Sequence, residues 1–254
     1  VYKRQVQGFK VRYVDRHPAP GGSAPVVFIH GAGGSHQHWL LQVRGFLHSP
    51  TYAIDLPGHG RSEGHARDSI RAYGDWLVSF LDEARLDRAV LTGHSMGGGI
   101  ALDVALRYPA RVAGLGLVAT GARLRVAPAI LEGFRQDPGR TVHLVAEWAF
   151  GPEAPADLVR QGRRQMESVP GNVFRADFGA CDRFDVMAQL GDITAPVVAV
   201  CGTKDVMTPP KYSAYLRDHI SGAELCLIEG AGHMVMLEKP AEVVKALAAL
   251  VEKH

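Results

Sequence analysis

The sequence predicts an α/β fold: a mostly parallel eight-stranded sheet flanked by helices, with a helical segment inserted after the sixth strand. Three observations predict it. Short, continuously apolar runs such as Val26-Val27-Phe28-Ile29 and Val197-Val198-Ala199-Val200-Cys201 mark strands covered on both faces. Stretches with helical spacing alternate with these runs, so successive strands join through right-handed helical crossovers. Between residues 120 and 192 the alternation stops, and helical patterns follow one another with no buried strand between them.

In chain order, Val6, Phe9, Val11 and Tyr13 alternate around Gln7-Gly8, which predicts two antiparallel strands turning at the glycine. Residues 17–25 are rich in Pro, Gly and Ser and read as a surface loop. The strand over 26–29 ends in a glycine-rich turn, His30-Gly31-Ala32-Gly33-Gly34-Ser35. Tyr52-Ala53-Ile54-Asp55 is the next strand, and Leu56-Pro57-Gly58-His59-Gly60-Arg61-Ser62 is a turn dense with breakers. Asp55, His59 and Arg61 are read as turn-capping residues, the common use of such side chains in loops. Ile70, Tyr73, Leu77, Phe80 and Leu81 recur at helical spacing behind a cap at Asp68 or Ser69.

Ala89-Val90-Leu91 leads into Gly93-His94-Ser95-Met96-Gly97, and Ile100, Ala101, Val104 and Ala105 continue at helical spacing to a stop near Tyr108-Pro109. A sixth strand covers 112–119. Helices are predicted over 128–134, 142–150, 156–166 and 173–190, separated by Asp137-Pro138-Gly139, Gly151-Pro152 and Pro170-Gly171. Their apolar side chains Phe134, Trp148, Phe150, Met166, Phe174, Phe178 and Met187 form a roof for the sheet edge. The sheet resumes at 196–201 and ends at Gly202-Thr203-Lys204-Asp205. A helix over 212–219 and a last strand over 224–228 lead to Gly230-Ala231-Gly232-His233, and Pro240 opens a closing helix through 251.

Composition narrows the function classes. The 254 residues suffice for one large domain, or one domain carrying an insertion. Hydrophobic content of 46% and charged content of 21% are those of a soluble globular protein. The formal net charge is +2 with Lys and Arg spread along the chain, so nucleic-acid binding has no electrostatic support. No apolar run approaches the roughly 20 residues that span a bilayer, and the start lacks a signal-peptide profile, so a cytoplasmic location is expected. Three cysteines make no disulfide framework. Cys201 and Cys226 sit in apolar runs and read as buried hydrophobes, while Cys181 lies in a polar segment. There is no CxxC and no His or Cys pair with metal-site spacing, and the 31–34 turn matches no phosphate-binding pattern, so neither a metal nor a cofactor is expected.

The chemistry gathers at four strand ends. Gly93-His94-Ser95-Met96-Gly97 matches the G-x-S-x-G nucleophile elbow, in which a sharp strand-to-helix turn presents a serine at a helix N-terminus and glycines relieve the steric conflict. The glycine turn at 30–34 lets backbone N–H groups approach a ligand beside Ser95. Asp205 and His233 follow two later strands, and ligand crevices in open parallel sheets lie at the carboxyl ends of the strands. The chain order Ser, Asp, His is that of nucleophile-elbow proteins.

Five segments in this order, 30–34, 55–62, 93–98, 202–205 and 230–233, resemble the α/β-hydrolase superfamily, in the group with a helical cap between the sixth and seventh strands. The resemblance covers essentially the whole chain. It implies a core domain of 1–119 and 193–254 with a helical cap, or lid, over 120–192. It implies Ser95 as nucleophile, His233 as base, Asp205 as the group that orients the imidazole, and an oxyanion hole from the N–H groups of Met96 and of Ala32 or Gly33. Trp148, Met207 and Met234 are the expected substrate contacts, and His30 and His94 are expected to brace their loops. Serine at the elbow argues against the dehalogenases and epoxide hydrolases of this superfamily, which carry Asp there.

The reading is a serine carboxylic-ester hydrolase acting through an acyl-enzyme on small to medium, largely apolar esters, as a monomer or small homo-oligomer. Two alternatives stand beside it. A carbon–carbon hydrolase of the meta-cleavage type or an enol-lactonase would use the same three residues, although the former family's aromatic residue after the histidine is absent here, where Met234-Val235-Met236 follows. A non-catalytic ligand receptor on the same fold is the alternative of another class.

Overall fold

In the computed structural model, which describes residues 2–17 and 24–252, Tyr2–Val6 (β1) and Phe9–Arg16 (β2) form the predicted hairpin. Its turn residues Gln7 and Gly8 both adopt positive φ, 50° and 83°. Of the loop predicted over 17–25, residues 18–23 lie outside the described residues. Val26–Ile29 (β3) follows, with all four residues buried. A 3-10 turn, His36–Trp39, leads into the short helix Leu40–Gly45 (α1), and Thr51–Ile54 (β4) is again wholly buried.

Ile70–Ala84 (α2) is capped by Ser69, whose side chain accepts the Ala72 N–H. The chain then runs through Ala89–His94 (β5), Met96–Arg107 (α3) and Val112–Val118 (β6). Four helices follow: Pro128–Gln136 (α4), Pro138–Ala149 (α5), Ala156–Glu167 (α6) and Gly171–Asp182 (α7). The remaining elements are Val197–Gly202 (β7), Pro210–His219 (α8), Glu224–Ile228 (β8), Val235–Glu238 (α9) and Pro240–Glu252 (α10). No described helix is long and apolar enough to cross a membrane.

Two sequence expectations are corrected. The helix expected over 173–190 stops at Asp182, because Asp185 pairs with Arg123 in an isolated β-bridge and the Val186 N–H donates to the Ala122 carbonyl. This tie to the strand-end segment after β6 overrides a helical period that no Gly or Pro interrupts between residues 180 and 190, and the chain resumes as a 3-10 turn over Met187–Asp192. Cys181, placed by its polar neighbours in a polar segment, is buried against α3 and α2, whereas Cys226 is only half-buried. The sheet's last strand is an edge, and it covers its side chains less fully than an interior strand.

The sheet order is β1-β2-β4-β3-β5-β6-β7-β8, antiparallel at the first two pairings and parallel at the rest. Alternate strand residues serve opposite faces. Val27, Ile29, Leu91, Leu115 and Leu117 pack with Tyr73, Trp76, Phe80 and Ile100 of α2 and α3. Phe28, Ala53, Val90, Val198 and Val200 pack with Trp39 and with Val243, Leu247 and Leu250 of α10. The chain moves from β3 outward to β4, then crosses back to β5 on the other side of β3. That reversal is the topological switch point, where strand carboxyl ends open a crevice. The helices of residues 128–182 hold a small core of their own, Ile130, Phe134, Val142, Val145, Phe174 and Phe178, and Ala32 and Met207 pack against it from the crevice.

Candidate active site

Ser95 sits between β5 and α3 at φ 52° and ψ −116°, a conformation that costs a non-glycine residue about 1–3 kcal/mol. Neighbouring glycines make the turn possible. A Cβ at Gly93 would lie 2.1 Å from the Gly97 carbonyl oxygen, and one at Gly97 would lie 2.4 Å from the Ile29 carbonyl oxygen. The strained residue is held on both sides: its N–H donates to the Val118 carbonyl at 2.9 Å, and its own carbonyl accepts from the Thr120 hydroxyl at 2.7 Å and the Gly98 N–H at 2.9 Å. Met96 opens α3, so its N–H has no acceptor within the helix.

The glycine turn after β3 lies alongside. A Cβ at Gly31 would come 3.2 Å from the Ser95 Cβ. The Gly31 carbonyl accepts from the Gly34 N–H at 3.0 Å and from His30 Nδ1–H at 2.8 Å. A trans peptide directs its N–H opposite to its carbonyl, so these two bonds fix the direction of the Ala32 N–H. His30 Nε2 in turn accepts the Leu56 N–H at 3.1 Å, which joins the turn to the segment after β4. Gly33, the other expected donor of this loop, is corrected: its N–H donates to the Asp177 carboxylate at 2.8 Å and is already engaged.

Asp205 and His233 meet at 2.9 Å, Oδ2 to Nδ1. The Asp205 carboxylate is built in place by its own loop: Oδ1 accepts the Met207 and Thr208 N–H groups, each at 2.9 Å, and Oδ2 accepts the Thr208 hydroxyl at 2.8 Å. Burial alone would push this carboxyl up, but the His233 ring and the Thr208 donors outweigh it and hold the group below the ordinary carboxylate range. With Nδ1–H given to Asp205, His233 keeps Nε2 as an acceptor. The His233 carbonyl accepts His94 Nε2–H at 3.0 Å, so the elbow and the histidine loop brace each other. Burial takes the His30 and His94 imidazoles well below their ordinary value, and both stay neutral.

Ser95, His233, Gly31 and Ala32 open onto one cavity of about 260 Å³. The expected contacts Trp148, Met207 and Met234 line it, as do Met166, Phe174 and Phe178 from the roof. Phe134 stacks behind Phe174, 5.4 Å between ring centroids, while Phe150 and Met187 pack elsewhere. Asp55 behaves as the turn cap expected of it: its Oδ1 accepts the His36 N–H and Nδ1–H, and its Oδ2 accepts the Arg61 N–H.

Sequence reading passed over four residues. Thr208 lies three residues after Asp205, a spacing at which a hydroxyl commonly returns to an Asx-type turn, and this signal was available. Glu238 accepts the Gly232 N–H at 3.1 Å and the Gly151 N–H at 3.0 Å, tying the His233 loop to the end of α5. His38, whose imidazole burial lowers to about 4, lines the cavity, and Asp177 reaches Gly33 across 144 residues. Nothing local marks these last three.

Comparison with known proteins gives four relevant likenesses. A sequence model of the alpha/beta hydrolase family matches residues 26–246. A pimeloyl-[acyl-carrier protein] methyl ester esterase of Neisseria meningitidis serogroup C is 31% identical over 254 residues, covering 94% of this chain and 96% of its own length. The dihydrolipoyllysine-residue acetyltransferase component of the acetoin cleaving system of Pseudomonas putida is 30% identical over 246 residues, 92% of this chain, and the chain spans 65% of that relative's length. Among solved structures, a thermophilic esterase superposes with a TM-score of 0.88 at 35% identity, covering 99% of this chain and 97% of that one.

Proposed function

Because the chain belongs to the alpha/beta hydrolase family, we propose that it is a serine hydrolase that cleaves carboxylic esters of small to medium, largely apolar substrates through an acyl-enzyme. Ser95 Oγ attacks the ester carbonyl while His233 Nε2 takes its proton. Asp205 holds the Nδ1–H tautomer and stabilises the imidazolium that forms. The tetrahedral oxyanion is bound by the N–H groups of Met96 and Ala32, and its collapse expels the alcohol, which receives the proton from His233. Water, activated by the same imidazole, then releases the acid and restores Ser95.

The observation that carries this reading is the 2.9 Å contact between Asp205 and His233 beside a cavity that also holds the strained, outward-presented Ser95. Residues 120–192 serve as a cap whose methionine and aromatic side chains receive the acyl or alcohol group. The cavity, about 260 Å³, lies just below the roughly 300–1,000 Å³ of drug-sized pockets, which supports small to medium substrates. Similarity to proteins named as esterases supports ester chemistry.

The test is turnover of p-nitrophenyl butyrate by the wild type and by Ser95→Ala, with a vinylogous diketone as the comparison substrate. Ester turnover that falls roughly 10⁶-fold in the variant, the cost of a nucleophile knockout, supports the proposal. Preference for the diketone assigns carbon–carbon cleavage instead, and absence of turnover on a panel of short esters assigns a receptor.

A further inference from the structure

Asp177 is a carboxylate with no solvent exposure, carried by α7 and pressed against the glycine turn beside Ser95. Its Oδ2 accepts the Gly33 N–H at 2.8 Å and His59 Nε2–H at 2.7 Å, and its Oδ1 accepts the Tyr73 hydroxyl at 2.6 Å. The three partners come from three segments other than its own helix: the turn after β3, the turn after β4, and α2. A buried carboxylate is costly unless it is paired and hydrogen-bonded, and here both oxygens are engaged, by three donors in all.

His59 supplies the countercharge. Its Nδ1 faces the Pro57 carbonyl at 3.0 Å and its Nε2 faces Asp177, so both ring nitrogens meet acceptors and both carry protons. The pair is therefore an imidazolium and a carboxylate. That neutrality matters for chemistry next door: an uncompensated buried negative charge would oppose the oxyanion that forms at Ser95.

The bond to Gly33 fixes more than one amide. Residues 31–34 form a turn closed by the Gly34 N–H on the Gly31 carbonyl, with Gly33 at φ +62° and Ala32 at negative φ, the pattern of a type II turn. Such a turn retains one internal freedom, rotation of its central peptide, which exchanges type II for type I and changes ψ of Ala32. The central peptide is Ala32–Gly33, and Asp177 holds its N–H. His30 and Gly34 fix the preceding peptide, so Ala32 is clamped on both sides. Phe174, one turn of α7 before Asp177, closes the same contact, since a Cβ at Gly33 would fall 2.1 Å from its ring.

We propose that Asp177 is the positioning residue of the oxyanion turn, acting from the cap: the seated α7 carboxylate locks the Ala32–Gly33 peptide, and the oxyanion site is complete only while that seat is occupied. The inference rests on the reading of Ala32 as an oxyanion donor. Its test is steady-state turnover of p-nitrophenyl butyrate by the wild type, Asp177→Ala and Asp177→Asn, normalised to active sites titrated with a fluorophosphonate. Asp177→Ala removes the acceptor, and kcat is expected to fall about ten-fold or more with KM within about two-fold, short of the 10²–10³ lost when a donor is deleted. Asp177→Asn loses the ion pair but can place its amide oxygen on Gly33, so it is expected to restore kcat to within about three-fold of wild type at a lower Tm. A structural role alone would make kcat per titrated site equal in all three, and that result overturns the proposal.

Should Asp177→Ala yield no titratable sites, hydrogen exchange at the Gly33 amide in Asp177→Asn decides. Retained protection with retained kcat, or lost protection with lost kcat, supports the assignment. Lost protection with full kcat, or retained protection with lost kcat, overturns it. Wild-type turnover that survives Ser95→Ala sinks the catalytic reading itself and this inference with it, whereas equal kcat in the Asp177 series alongside a dead Ser95→Ala refutes only the role of Asp177.

Discussion

Replacing Asp205 by Asn separates orientation of the imidazole from folding, because the structure dictates how the amide must lie. Oδ1 accepts two backbone N–H groups, from Met207 and Thr208 at 2.9 Å each, and an amide NH₂ cannot occupy that place without opposing two fixed donors. The amide oxygen therefore takes the Oδ1 position, and the NH₂ group faces His233 Nδ1 and the Thr208 hydroxyl. An NH₂ facing Nδ1 favours the tautomer with its proton on Nε2, which cannot accept from Ser95. The same change in serine proteases lowers kcat by about 10⁴, which corresponds to about 5.4 kcal/mol of transition-state stabilisation. Stability falls far less, because two of the four bonds persist and one charge-assisted bond of about 1.5–3 kcal/mol is lost. For a chain of this length that is a drop of about 3–12 °C in Tm. Turnover of p-nitrophenyl butyrate per folded molecule, with the melt recorded on the same sample, measures both. A kcat within ten-fold of wild type, at any Tm, refutes the orienting role.

Gly97→Ala is expected to lower Tm by at least about 6 °C, since its Cβ would meet the Ile29 carbonyl oxygen at 2.4 Å and overpacking of this kind costs about 3 kcal/mol; an unchanged melt would show that the elbow yields. Met166→Ala opens the cavity roof toward longer acyl groups. Two further buried methylenes are worth about 1.6 kcal/mol, so the kcat/KM ratio of the hexanoate to the butyrate ester rises about fifteen-fold, and a constant ratio across the ester panel counts against the proposed pocket. In acid, stability follows the depressed carboxylates. Burial raises Asp55 as it raises Asp205, but its bonds from His36 hold it lower, so each contributes stability above the unfolded value of about 4 and loses it as pH falls through the folded one. Tm is therefore level to about pH 5 and declines below about pH 4 in melts recorded across that range. His59 runs the other way: burial lowers it, but Asp177 and the Pro57 carbonyl prevail and raise it, so its contribution is complete below about pH 6.5 and fades as pH rises through the folded value. The resulting alkaline decline in Tm is expected to shrink in Asp177→Asn, and an identical decline in both proteins would remove the ion pair as its cause.

What could be read in advance follows the range of the forces involved. The buried strands announced themselves because burial on both faces demands unbroken apolar runs, as in 26–29, 89–91 and 197–201. The elbow was legible because its constraint is local: a strained corner needs small neighbours two residues away, and Gly93 and Gly97 supply them. Asp205 and His233 were legible by position, each just past a strand that topology brings to the same edge. Gly33 was misread as a donor because its partner lies on α7, and no spacing in the glycine turn encodes a carboxylate 144 residues downstream. The end of α7 was missed for the same reason, since the bridge between Arg123 and Asp185 is set by the fold rather than by a breaker. Cys181 shows the limit of reading polarity by neighbours: on an amphipathic helix the adjacent Asp182 and Arg183 say nothing of the face that Cys181 occupies.

Polar ties between the loops of the site share a use, and it explains how a strained serine persists. Ser95 stores about 1–3 kcal/mol in its backbone, which must be offset by contacts that would be lost if the corner relaxed. Its carbonyl is held by Thr120, and the loop of His233 is held by His94 from the elbow and by Glu238 through Gly232. The loop of Asp205 is held to the same region by the Thr203 hydroxyl, which accepts the Gly230 N–H at 3.0 Å. Each bond joins a side chain to the backbone of a different loop, and each contributes about 0.5–1.5 kcal/mol net. Four such ties exceed the strain. The His94 tie is fully buried, so breaking it leaves an unsatisfied group at a further cost of about 1–3 kcal/mol, and relaxation of the corner is opposed by more than the bonds themselves. These polar contacts between loops, of which sequence foretold only the brace by His94, are thus what allow the local motif to hold its serine in place.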